Sequence, residues 1–379
     1  MDFQLTEEQA LLQQSARDFA AEYCEPIAAE IDKTGRYPEE TVRQLAAHDF
    51  MGMPYPEEYG GAGAEYLSYI LAVEEISKVC ASTGIIYSAH CSLGLWPIYK
   101  WGSEELKQKY LVSLCKGEKL GAFALTEPGA GTDAASGTCS ALRDGDDYVL
   151  NGTKCFITNG GLAEVYVIFA LTDPSQGTKG LSAFVVEKGW AGFEIGKHED
   201  KMGIRGSQTT ELIFKNCHVP KENLIGEEGK GFKYAMQTLD GGRIGVAAQA
   251  LGIAQGALDA AVKFAKERVQ FGKPIATKQA IQWMLADMET RIQATRFLVY
   301  SAAAAKDRGE AFSKDAAMAK LFAAETADYV CNQAIQIHGG YGFIKDFKVE
   351  RCYRDAKICS IYEGTSEVQR MVISGALLR

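Results

Sequence analysis

The sequence predicts an α+β fold in three parts: an N-terminal helical domain, a middle antiparallel β-barrel or sandwich, and a C-terminal four-helix-bundle domain. Three observations carry this expectation. Apolar residues recur at helical spacing through the first third of the chain. After Leu120 the pattern breaks into short strand-like runs separated by turn residues, and after Gly229 helical spacing returns and lasts to the end. The expected domains are 1–118, 119–228 and 229–379. A chain of 379 residues is too long for one core, so a division of this kind is required.

Thr6 with Gln9 three positions on is a capping box, and the helix it opens carries Leu11, Leu12, Phe19, Ala20, Tyr23 and Ile27. Pro54 to Gly63 reads as a loop, because two prolines and three glycines interrupt both periods. Helix resumes near Tyr66 and continues through Ile76, and Ser103-Glu104-Glu105 starts another that ends near Gly117. The strand-like runs are 121–125, 148–150, 155–157, 165–169 and 182–186. Asp144-Gly145, Asn151-Gly152, Asn159-Gly160 and Asp173-Pro174 are the turns expected between them. The strand region should end near Pro220. Alanine-rich stretches at 243–265 and 316–337 suit close helix packing in a bundle or between subunits.

Composition sets limits on function. The chain is 47% hydrophobic and 23% charged, with a formal net charge of -9, which argues against nucleic-acid binding. No apolar run approaches the ~18 residues of a membrane span. The start is acidic and lacks a signal or transit pattern, so a cytoplasmic location is expected. Ten cysteines are scattered singly, and Cys139, Cys155 and Cys331 read as small buried hydrophobes. The five histidines show no ligand spacing, so no metal site is expected.

Two stretches carry candidate chemistry. In Ile361-Tyr362-Glu363-Gly364-Thr365-Ser366-Glu367, a carboxylate lies between an aromatic and a glycine, and Thr365 can cap a helix from Ser366 towards Leu378. Taken alone, Glu363 is either an ordinary solvated glutamate or a general base in a partly dry pocket. Gly129-Ala130-Gly131-Thr132-Asp133-Ala134 matches only the loosest dinucleotide fingerprint. Ser136-Gly137 and Asp144-Gly145 interrupt the helix that a nicotinamide site requires. What remains is a hairpin turn, or a loop presenting backbone N–H groups to a phosphate or flavin edge.

Leu125 to Asp133, Phe156 to Asn159, Arg268 to Pro274, Gln336 to Gly342 and the Glu363 stretch occur in this order across the α-β-α layout. Together they resemble the acyl-CoA dehydrogenases over essentially the whole chain, and Asp240 to Gly245 point to the short-chain, butyryl-CoA branch. The resemblance implies FAD held between the β-domain and the C-terminal helices. It implies Phe123, Leu125, Thr126, Gly131 and Thr132 on one side of the cofactor, and Phe156, Ile157 and Thr158 on the other. Many relatives carry tryptophan where Phe156 stands. Arg268, Phe271, Gln279, Gln336, Gly339 and Gly340 match positions that reach the FAD of a neighbouring subunit, and Thr365 and Glu367 match cofactor contacts. Substrate contacts are implied for Thr132, Asp240, Arg243, Tyr362 and Gly364. On local sequence alone, Asp240 and Arg243 read as a helix-start carboxylate beside a surface charge.

The implied reaction is α,β-dehydrogenation of a short-chain acyl-CoA, or its reverse. Glu363 would exchange the α-proton, and flavin N5 the β-hydride. The implied partner is an electron-transferring flavoprotein, and the implied assembly a homotetramer. Isovaleryl- and long-chain-type relatives place their base immediately before the arginine of the Asp-x-x-Arg segment, and here that position is Gly242. Glutaryl-type members need a cation near residues 80–97, where this chain offers only His90. Two competitors are a non-catalytic flavin-bound relay protein, against which the intact Glu363 argues, and an NAD-dependent oxidoreductase using the Gly129 loop.

Overall fold

The computed structural model describes residues 4–378. The N-terminal helices are α1 (Glu7–Phe19), α2 (Ala28–Thr34), α3 (Glu39–Ala47), α4 (Tyr66–Val79), α5 (Ala81–Ala89), α6 (Trp96–Trp101), α7 (Glu104–Leu106) and α8 (Val112–Cys115). The Thr6/Gln9 capping box forms as the sequence predicts, and Ser103 caps α7. α4 is apolar nearly all round because it is enclosed on all sides, and almost every residue in it is buried. Its two buried carboxylates are both paired: Glu74 with Arg296 at 2.8 Å and Glu75 with Arg17 at 2.7 Å. Between α5 and α6 the chain widens into a π-helical turn, His90–Leu95, a geometry often found beside functional sites.

Seven strands form one curled sheet: β1 (Gly121–Ala124), β2 (Ser140–Asp144), β3 (Asp147–Thr158), β4 (Val165–Leu171), β5 (Leu181–Glu187), β6 (Phe193–His198) and β7 (Thr209–Pro220). The order is β1-β4-β2-β3-β7-β6, with β5 on β4. Most pairs are antiparallel, but β1 and β2 each run parallel to β4, pairings that alternation alone does not reveal. Asn151-Gly152 is not a turn. The runs expected at 148–150 and 155–157 belong to the single strand β3, and Gly152, at φ 138°, sits at a register shift within it. Gly145 does turn the β2–β3 hairpin, at φ 62°.

The C-terminal part packs α9 (Gly231–Glu267), α10 (Gln279–Asp307), α11 (Ser313–His338) and α13 (Ser366–Leu377) together, with the shorter α12 (Val349–Ala356) alongside. A two-stranded ribbon, β8 (Val269–Gln270) and β9 (Lys273–Pro274), links α9 to α10. By length and composition α9 passes for a membrane-crossing helix, but it is mostly buried against other helices and is a core helix. All ten cysteines are reduced and buried.

Candidate active site

The turn between α12 and α13 is held in an uncommon backbone conformation. Glu363 (φ 52°) and Gly364 (φ 92°) are both left-handed, a state that disfavours the glutamate. Thr365 caps α13 by accepting the N–H of Val368. The Lys320 ammonium, on α11, donates to the carbonyls of Cys359 (3.1 Å) and Gly364 (2.7 Å). Gln369 Nε2 donates to the same Gly364 oxygen at 2.8 Å. Tyr362 is hydrogen-bonded to the buried Gln249 of α9. Among the described residues, the N–H of Glu363 has no protein acceptor.

The Glu363 side chain points towards α9. A Cβ on Gly242 would overlap its Oε2, and the same Cβ would lie 2.8 Å from Leu93 of the π-helical turn. Oε2 is buried without a hydrogen-bond partner among the described residues. Burial pushes the carboxyl up to about 7, against the opposing pull of Lys320 and Arg243. The same burial pushes the Lys320 ammonium down. Glu363 also acts electrostatically on Tyr66 and Tyr69 of α4, so this space is walled by α4, the His90–Leu95 turn, α9 and α11.

Asp240 and Arg243 lie in mid-α9, not at a helix start, and Arg243 is 4% exposed, so the surface-charge reading is corrected. Arg243 Nη1 is 2.5 Å from Asp240 Oδ1, while its buried Nε has no partner among the described residues. Tyr362, Glu363, Gly364, Asp240 and Arg243 are thus neighbours, joined through Gly242.

On the β-part, the N–H of Cys155 donates to the carbonyl of Thr126 at 2.9 Å, and Lys154 Nζ donates to that of Leu125 at 3.1 Å. These bonds bring Leu125 and Thr126 beside Phe156. Phe156 has φ 57° at a second register shift in β3, which turns its ring outward, 65% exposed. Thr158 is half-buried and the loop residues Gly131 and Thr132 are exposed. The Ile157 side chain is buried in the sheet core, so only its backbone can meet a ligand, and Phe123 is half-buried with its ring 4.9 Å from that of Phe169.

A separate cluster lies at the far end of α9 and α11. Arg268, Gly339, Gly340 and Tyr341 line an open cavity of about 430 Å³, with Arg268 stacked 5.1 Å over the Tyr341 ring. Phe271 is 94% exposed, Gln279 and Gln336 are exposed, and Gly339 and Gly340 have open space before them. Glu367 is exposed in the first turn of α13. This cluster has the makings of an anion site: an arginine with no carboxylate partner among the described residues, beside bare backbone.

The sequence reading missed Lys320, Gln369, Gln249 and the buried pair Lys154–Glu127, 2.7 Å apart. A single lysine inside the alanine-rich run 316–324 was the only signal available for Lys320. His90 is buried and neutral. It hydrogen-bonds the Leu114 carbonyl through Nε2, accepts the Gly121 N–H at Nδ1, and burial lowers it to about 4.

Family models for the N-terminal, middle and C-terminal domains of acyl-CoA dehydrogenase match residues 6–118, 122–217 and 229–378. The chain belongs to the acyl-CoA dehydrogenase family. Over 379 residues and the full length of both chains, it is 58% identical to a short-chain specific acyl-CoA dehydrogenase of Clostridium acetobutylicum. The butyryl-CoA dehydrogenase structure of Megasphaera elsdenii matches at a TM-score of 0.99 and 52% identity, each chain covered in full. A chain solved in work on the electron transferring flavoprotein of Acidaminococcus fermentans and flavin-based electron bifurcation matches at a TM-score of 0.99 and 56% identity, again in full. This is a flavoprotein oxidoreductase of the acyl-CoA dehydrogenase type.

Proposed function

We propose that the chain converts a short-chain acyl-CoA to its trans-2-enoyl-CoA, or runs the reverse reduction, with Glu363 exchanging the α-proton. The observation that carries this reading is the Glu363 carboxylate. It is buried, unpartnered at Oε2 and raised to about 7, in a space walled by Leu93 and Gly242. A base of that strength suits the weakly acidic α-hydrogen of a thioester near neutral pH.

The residues fit FAD. The outward Phe156 ring, the paired strand ends at Leu125, Thr126 and Thr158, and the exposed Gly131 and Thr132 offer one face of a site. Arg268 and the bare backbone at Gly339 and Gly340 offer the donors that a pyrophosphate takes. FAD, when bound, supplies the acceptor for the β-hydride. Glu363 takes the α-proton, and its own free N–H is available to donate to the thioester oxygen as charge develops there. Asp240, and Arg243 through its Nε, would hold the coenzyme A part, a role that the buried Nε with no partner among the described residues supports. Leu93 and the Tyr66–Tyr69 face keep water from the acyl end.

Arg268, Phe271, Gln279, Gln336, Gly339 and Gly340 would complete the site of a neighbouring copy in a homotetramer. The electron partner would be an electron-transferring flavoprotein, as likeness to the Acidaminococcus chain suggests. Glu363→Gln tests the reading. It should fold, keep FAD, and show a prompt spectral change on mixing with butyryl-CoA, followed by bleaching slowed ~10²–10⁴-fold. Bleaching at the wild-type rate would place the base elsewhere.

A further inference from the structure

The turn that carries Glu363 is secured from behind by two side chains on different helices. Gly364 O receives Lys320 Nζ at 2.7 Å and Gln369 Nε2 at 2.8 Å, while Lys320 also reaches Cys359 O at 3.1 Å, where the turn begins. A carbonyl that accepts two donors cannot rotate without breaking both bonds in a buried place. Fixing that peptide fixes the left-handed pair at 363–364, and with it the direction of the Glu363 N–H and side chain. Gln369 is fully buried, and a Cβ on Gly364 would lie 2.8 Å from its Nε2, so the fit is close.

Lys320 is itself out of place for a structural residue. It is 1% exposed, forms no ion pair among the described residues, and is satisfied only by neutral carbonyls. The groups facing Glu363 are Lys320 from α11, Arg243 from α9, Tyr66 and Tyr69 from α4, and Tyr362 beside it. Cys359 lies near Lys320. Arg243 is already paired with Asp240. Of the two cations that act on Glu363, Lys320 is therefore the one paired with no other carboxylate among the described residues.

Resting on the reading of Glu363 as the base, we propose that Lys320 and Gln369 clamp the Glu363–Gly364 turn, and that Lys320 is a positioning residue whose charge keeps the base ionised. The two have separable roles. Gln369 contributes geometry alone, and Lys320 contributes geometry and field.

The test uses FAD-loaded protein with Lys320→Met, Lys320→Arg and Gln369→Met. Hydrogen exchange of the 359–369 segment reads the clamp, and the pH dependence of flavin bleaching by butyryl-CoA reads the field. Removing a cation disfavours the carboxylate, so Lys320→Met should move the bleaching profile up by about one pH unit or more. Its exchange at 359–369 should quicken by ~10-fold or more. Lys320→Arg should restore the profile. Gln369→Met should quicken exchange with the profile unmoved. Unchanged exchange in both Lys320→Met and Gln369→Met would overturn the clamp, and an unmoved profile in Lys320→Met would overturn the role of its charge. If Lys320→Met does not fold, Gln369→Met decides the clamp: wild-type exchange in it is the overturning result. A wild-type protein that no acyl-CoA bleaches would defeat the functional reading instead, while exchange would still decide the clamp.

Discussion

Gly242 and Glu363 share one space: a side-chain carbon on the first would overlap a carboxylate oxygen of the second. They lie 121 positions apart in the chain, on α9 and on the turn before α13. The glycine therefore leaves the space that the carboxylate takes in this position. Leu93 closes the same point from the N-terminal helices.

Gly242→Ala should fold, because α9 gains helix propensity, and should retain FAD. Its methyl must push Glu363 aside by an ångström or more. Displacement on that scale costs ~10²-fold in rate. Stopped-flow bleaching by butyryl-CoA measures it, and an unchanged rate would mean that Glu363 has room to spare.

With the Glu363 carboxyl raised to about 7, the base is protonated and idle on the acid side of that value. The rate constant for bleaching under limiting substrate should fall with one-proton slope as pH drops through neutrality, and level off above it. A plateau reaching down to the ordinary glutamate range would show that burial does not control the group.

Arg268→Ala should lower FAD retention and shift the protein towards smaller species on dilution, because ligand and assembly are linked if the cavity belongs to a neighbour's cofactor site. Sedimentation velocity with and without added FAD compares the two. A stable assembly with unchanged FAD affinity would count against sharing.

Butyryl-CoA should be strongly preferred to glutaryl-CoA in kcat/KM. His90 is the only candidate cation in its segment, and it is neutral, with both ring nitrogens committed to backbone groups. A terminal carboxylate would find no cation from that segment to pair with. Preference for glutaryl-CoA would contradict this account of the pocket.

Lys154→Met should destabilise by about 3–5 kcal/mol, because it strands the buried Glu127 carboxylate that also holds the Thr138 and Cys139 N–H groups. Adding Glu127→Gln should recover part of the loss in a double-mutant cycle followed by calorimetry. Equal stability of wild type and Lys154→Met would show that water reaches the pair.

Much of this protein is decided locally, and so the sequence alone determines it. Thr6, Ser103 and Thr365 cap helices because a side-chain oxygen meets an N–H three residues on, and the change of period after Leu120 separates sheet from helix. Family motifs mark Glu363, Arg268 and the 125–133 loop by residue type. Tertiary structure decides what depends on partners distant in the chain. Asn151-Gly152 has turn chemistry, yet β7 pairs along both sides of it and makes it a bulge. Ile157 carries no sign of which face of β3 it takes once the register shifts at Phe156. Above all, whether Glu363 is a solvated glutamate or a buried one depends on Gly242, Leu93 and Lys320. Desolvation and field are set by what folding brings close, and no short stretch of sequence contains that information.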